Sequence, residues 1–122
     1  MKKILFVEDE ETIRELVCEY LTTVGFEVVV ADEGREGLKR LAEQKFDIVL
    51  TDINMPHGMG GLEFIKNIHQ QQLSLPIIAM SGYLKNSEAI KALPKEVPLM
   101  EKPVNLKSLI QKINENINQG AT

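Results

Sequence analysis

Cysteine occurs once in the 122 residues, at Cys18, so no disulfide can form within the chain and a reducing compartment fits. No apolar run approaches a membrane span in length. The opening Met1-Lys2-Lys3-Ile4-Leu5-Phe6-Val7 begins like a signal peptide. Glu8-Asp9-Glu10-Glu11 ends the apolar stretch too early for one. Basic charge is short as well: 14 Lys and Arg stand against 18 Asp and Glu, for a net charge of −4, which argues against direct binding to nucleic-acid phosphates. There are two histidines, His57 and His69, both expected at the surface rather than as ligands or proton carriers. No internal repeat, low-complexity tract or interdomain linker breaks the chain. These absences predict one cytoplasmic, non-membrane domain over residues 1–119, with a frayed tail at 120–122 and no output domain.

What is present is an alternation of short apolar runs and amphipathic stretches. Ile4-Leu5-Phe6-Val7 reads as a strand covered on both faces. Ile13, Leu16, Val17, Tyr20, Leu21 and Val24 then recur at helical spacing over roughly residues 11–24, and Gly25 stands where a C-terminal cap would be. Glu27-Val28-Val29-Val30-Ala31 is a β-branched second strand, and Leu38, Leu41 and Ala42 mark a second helix. Phe46 and Ile48-Val49-Leu50 predict a buried third strand that runs into Asp52. Gly58, Gly60 and Gly61 predict a flexible loop before a third helix on Leu62, Ile65 and Ile68. Pro76-Ile77-Ile78-Ala79-Met80 is a fourth strand ending at Ser81-Gly82, and a weak helix is expected around Ser87–Leu93, stopped by Pro94. Val97-Pro98-Leu99-Met100 is a poorer fifth strand whose prolines suit a sheet edge. Leu106, Leu109, Ile110, Ile113 and Ile117 predict a last helix capped by Asn105. Five strand–helix units imply an α/β fold with a parallel sheet and helices on both faces.

In such a sheet, ligands bind beyond the carboxyl ends of the strands. Four of the five predicted strands end there in a reactive group: Glu8 and Asp9, Asp52, Ser81 and Lys102. Three carboxylates in one pocket repel strongly, so either one stays protonated or a cation sits among them. Oxygen donors without histidine or thiol favour a hard ion such as Mg²⁺. A carboxylate can also attack phosphorus, with Lys102 and the Ser81 hydroxyl on the phosphoryl oxygens, so the site reads as phosphoryl transfer onto a carboxylate.

The acid pair, Asp52-Ile53-Asn54-Met55-Pro56, Ser81 and Lys102-Pro103, in this order at strand ends, closely resemble a response-regulator receiver domain along essentially the whole chain. The resemblance implies a flavodoxin-like (βα)5 three-layer sandwich with strand order 2-1-3-4-5. It implies Asp52 as phosphoacceptor. Asp9, Asp52 and the Asn54 backbone carbonyl would ligate Mg²⁺ or Mn²⁺, and Glu8 would act largely through metal-bound water. It implies Ser81 and Lys102 as the groups that bind the phosphoryl, a cis bond before Pro103, and tuning positions at Asn54, Tyr83 and Leu99. The implied partners are a sensor histidine kinase or histidine phosphotransfer protein and a downstream protein target, with the chain a monomer or a weak phosphorylation-dependent dimer.

Leu99 stands where the family often has an aromatic residue, the 55–61 loop looks one residue long, and the stretch from Ser81 to Lys102 looks about one residue short. The expected function is a stand-alone phosphoacceptor signalling domain rather than an enzyme. The rivals are a Mg²⁺-dependent phosphatase with an aspartyl-phosphate intermediate, opposed by Asn54 where a second acid would stand, and a receiver-like interaction module that is never phosphorylated. A flavin-binding flavodoxin fits poorly, because strand one leads into acids.

Overall fold

The computed structural model describes residues 1–55, 58–71, 74–82 and 88–120. Five parallel strands, β1 (Lys3–Val7), β2 (Glu27–Ala31), β3 (Ile48–Asp52), β4 (Ile77–Ser81) and β5 (Leu99–Glu101), form one sheet in the order β2-β1-β3-β4-β5. The helices are α1 (Glu11–Thr23), α2 (Gly34–Glu43), α3 (Gly61–Gln71), α4 (Glu88–Lys91) and α5 (Leu106–Gly120). Every residue of the central strands β3 and β4 is buried, which is why they read as unbroken apolar runs, while β2 and β5 lie at the edges.

Side chains alternate across the sheet and so build two cores. Ile4, Phe6, Leu50, Ile78 and Met80 pack with Val17 and Leu21 of α1 and Leu109, Ile113 and Ile117 of α5. Leu5, Val7, Val49 and Ala79 pack on the other face with Phe64, Ile65 and Ile68 of α3 and Leu38 and Leu41 of α2. The result is the expected three-layer sandwich. Among the described residues no helix is long and apolar enough to cross a membrane.

Four expectations need correction. Strand β5 is shorter and later than Val97–Met100, because Val97 N–H instead donates to the Pro94 carbonyl and closes a turn; Pro98 stays beside the sheet and accepts from Ala79 N–H. Among the described residues helix α4 spans Glu88–Lys91 and ends before the expected Leu93, whose N–H closes a turn on the Ile90 carbonyl. Helix α5 reaches Gly120, so the first residue of the expected frayed tail is helical, and the buried Ile117 anchors that last turn in the core. Gly61 is the first residue of α3 and fully packed, not part of a loose loop. A Cβ there would drive into the Asp52 carbonyl oxygen and lie 2.7 Å from the Ile53 Cα, so glycine answers a close approach rather than a need for mobility.

Three local expectations agree with the structure. Gly25, at φ +108°, follows α1, and its N–H donates to the Thr22 carbonyl. Asn105 caps α5 by accepting from Ser108 N–H at 2.9 Å. The Lys102–Pro103 bond is cis. Pro56, His57, Tyr83 and Ser87 lie outside the described residues.

Candidate phosphoacceptor site

Strand register brings the acids together. Val7 pairs with Thr51 across β1 and β3, which sets Glu8 and Asp52 side by side one residue further on. Asp52 in turn pairs with Met80, and Ser81 with Glu101, so Ser81 and Lys102 follow at the same end of the sheet. Backbone bonds from Glu8 N–H to the Ala31 carbonyl and from Lys102 N–H to the Ser81 carbonyl hold the two outer contributors in line.

Carboxylate oxygens of Glu8, Asp9 and Asp52 all lie within 4.8 Å of one another. Glu8 is fully buried and Asp52 4% exposed, while Asp9 is half-buried. Lys102 Nζ bridges the two inner acids, 2.6 Å from Glu8 Oε1 and 2.9 Å from Asp52 Oδ2. The other oxygens find backbone donors: Asn54 N–H on Asp52 Oδ1 at 3.1 Å, and Glu10 N–H on Glu8 Oε2 at 3.2 Å. The Asn54 amide Nδ2 donates to Ser81 Oγ at 3.0 Å, so Asn54 touches both Asp52 and the hydroxyl beyond it. Leu99, partly buried, packs against the α2–α3 core. Cys18 is half-buried on α1, and His69, on α3, pairs with Glu96 at 3.5 Å, away from the site.

Among the described residues one ammonium stands among three carboxylates, which leaves negative charge in excess. Burial pushes the Glu8 carboxyl up to about 7, and the Asp52 charge adds to this, against the opposing pull of Lys102. Burial works against the Lys102 ammonium too, but the Glu8 and Asp52 carboxylates together outweigh it and raise its pKa above the ordinary 10.5. Among the described residues the donor set is oxygen alone, clustered at the mouth of a sheet, with one acid half-exposed. That set fits a divalent hard cation such as Mg²⁺ or Mn²⁺ and suits a soft ion poorly.

Residues 4–114 match the response regulator receiver domain family model. The chain belongs to the response-regulator receiver family. This receiver is 31% identical over 119 residues to the transcriptional regulatory protein GlrR of Escherichia coli (strain K12), with 97% of this chain aligned to 27% of that protein. It thus spans about a quarter of the length of that curated relative. It is 30% identical over 120 residues to the response regulator receiver protein CpdR of Brucella abortus (strain 2308), covering 94% of this chain and 96% of that one. Among solved structures it resembles the response regulator protein TrrA from Thermotoga maritima, determined in complex with Mg²⁺ and BeF. There the TM-score is 0.82 at 33% identity, covering 95% of this chain and 99% of that chain. The acid cluster with its lysine bridge is the arrangement typical of a receiver's phosphoaspartate and Mg²⁺ site.

Sequence reasoning missed Arg14, whose guanidinium Nη1 donates to the Glu8 carbonyl at 2.9 Å and to the Asp9 carbonyl at 3.5 Å. It thereby clamps the turn that presents both acids. The only signal was an arginine on the first turn of the helix after them.

Proposed function

We propose that Asp52 accepts a phosphoryl group from a phosphohistidine of a sensor kinase or phosphotransfer protein, and that the phosphorylated domain signals through a contact with a downstream protein. The observation that carries this reading is the environment of Asp52. It is a buried carboxylate whose Oδ2 meets a lysine ammonium and whose Oδ1 meets a backbone N–H, with two further acids within reach of a shared cation. In the transfer, an Asp52 carboxylate oxygen forms the new P–O bond while the histidine P–N bond breaks, and the bonding pair leaves with the imidazole nitrogen.

Asp9, Asp52 and the Asn54 carbonyl would hold Mg²⁺ or Mn²⁺, with Glu8 acting through water. The ion would supply positive charge for the phosphoryl oxygens. Lys102 moves from bridging two carboxylates to neutralising a phosphoryl oxygen. Ser81 exchanges the Asn54 amide for the phosphoryl group, and that exchange biases a two-state equilibrium of the domain.

Intact-mass spectrometry after incubation with Mg²⁺ and acetyl phosphate tests this reading, with Asp52→Ala alongside. One phosphoryl adduct is expected, dependent on Mg²⁺ and absent in the variant. Sustained turnover of unrelated phosphomonoesters would favour a phosphatase instead. No adduct, together with no response to beryllofluoride, would leave an interaction module and overturn the phosphoacceptor reading.

A further inference from the structure

The β3–α3 loop leaves Asp52, carries Asn54 and returns at Gly61 to touch Asp52 again. Its returning end is tied to a distant turn. Glu33 Oε1 accepts from Met59 N–H at 3.2 Å, and the neighbouring Gly34 N–H donates to the Met59 carbonyl at 3.0 Å. The two bonds form a reciprocal clasp between the start of α2 and residue 59. The same Glu33 oxygen accepts from Arg35 N–H at 2.6 Å, so one carboxylate serves its own helix and the loop together.

Glycines on both sides of the clasp make room for it. A Cβ on Gly58, which sits at φ +74°, would lie 2.8 Å from the Glu33 carboxyl carbon. A Cβ on Gly34 would lie 2.7 Å from the Met59 Cγ and 2.9 Å from its carbonyl oxygen. Glutamate is also not a favoured helix N-cap, a position where aspartate, asparagine and serine lead. The longer side chain has another use here, which is to reach Met59.

The path from the clasp to the phosphoacceptor is two residues long. Beyond Met59 come Gly60 and Gly61. Gly61 N–H donates to the Ile53 carbonyl at 3.2 Å, and only the absence of a Cβ on Gly61, which would run into the Asp52 carbonyl oxygen, allows this approach. Ile53 is bonded directly to Asn54, whose N–H holds Asp52 Oδ1 and whose carbonyl faces the cation in the reading above.

We propose that Glu33 is a positioning residue for the phosphoacceptor site: by clasping Met59 it fixes the β3–α3 loop, and with it the Asn54 backbone, in the geometry that binds the divalent cation and sets the lifetime of the phosphoryl group. The proposal rests on Asp52 as the phosphoacceptor and extends that reading to a residue outside the pocket.

Glu33→Asp separates the clasp from the cap. Aspartate caps α2 well but is one methylene too short to span to Met59, whereas Glu33→Gln keeps both length and an accepting oxygen. Three quantities are read for each variant: amide hydrogen exchange at Met59 in the metal-free protein, the Mg²⁺ dissociation constant from amide shifts, and the decay of the acetyl-phosphate adduct by intact mass. Glu33→Asp should speed Met59 exchange about tenfold, the scale of one lost hydrogen bond to a charged group. It should weaken Mg²⁺ by about threefold to tenfold and change the adduct lifetime by a similar factor, while the variant remains folded at 25 °C. Glu33→Gln should restore most of each.

Gly58→Ala, which attacks the clasp from the loop side, should reproduce the aspartate variant and serves if that variant does not fold. Unchanged Met59 exchange, or faster exchange with unchanged Mg²⁺ affinity and lifetime, overturns the proposal alone, provided the wild type takes a phosphoryl group. A wild type that takes none overturns the phosphoacceptor reading and the proposal with it.

Discussion

With its side chain wholly inside the protein, Glu8 loses the hydration that keeps a carboxyl near its ordinary value of 4.5. Its folded pKa, about 7, lies above the unfolded one, so the folded state holds the proton more tightly. In metal-free protein the stability this brings is fully present below about pH 4.5 and is lost as pH rises through 7. Unfolding in urea with EDTA present should therefore show stability falling by about 3 kcal/mol between those pH values, and Glu8→Gln should flatten that slope. A wild-type slope equal to that of the variant would mean Glu8 stays ionised in the fold. The acids, Ser81 and Lys102 were legible in the sequence because each stands at a strand end, where apolar runs give way to charge. Their partners were not. Lys102 bridges Glu8 and Asp52 at once, and Asn54 reaches Ser81, through side-chain directions that strand spacing does not encode.

Among the elements, those with a continuous apolar signal were legible: β1, β3, β4, and helices α1, α3 and α5. The uncertain region was Ser81 to Lys102, where the chain uses proline and turn bonds in place of periodicity. There, among the described residues, β5 keeps only three residues and α4 spans Glu88–Lys91. Gly61 was misread for a related reason, since a glycine chosen for close packing looks in sequence like one chosen for freedom. Leu99 opens β5, pairs with Ala79 and packs, partly buried, against the core on the α2–α3 side of the sheet. Leu99→Ala should cost about 1–2 kcal/mol, less than a fully buried leucine, while the folded variant still takes one phosphoryl group from acetyl phosphate. Loss of the adduct in protein shown to be folded would mean that Leu99 supports the pocket itself.

For the molecule as a whole, the crowding of three carboxylates around the Lys102 ammonium is a cost that a bound cation would relieve. A ligand that binds only the folded state stabilises it by mass action, so at ten times its dissociation constant Mg²⁺ should add about 1.4 kcal/mol and raise the melting temperature by roughly 3–8 °C. A thermal scan over millimolar Mg²⁺ at low salt measures this, with Asp9→Asn as the comparison expected to lose most of the shift. A wild-type melting point indifferent to Mg²⁺ would count against the metal site. β1 and β3 contribute side chains to the cores on both faces of the sheet and lead into the acids, so a cation held there would stabilise the fold as a whole.

The lysine bridge also has a consequence for the order in which the protein is made. Glu8 and Lys102 are 94 residues apart, and Asp52 lies between them, 50 residues before the lysine. A ribosome releasing the chain from its amino end exposes all three acids well before the ammonium that joins two of them. The acids can meet through the pairing of β1 with β3 alone, whereas the bridge between them waits for the chain that follows β5, so the lysine contact is the last of the pocket's ties that the emerging polypeptide can make.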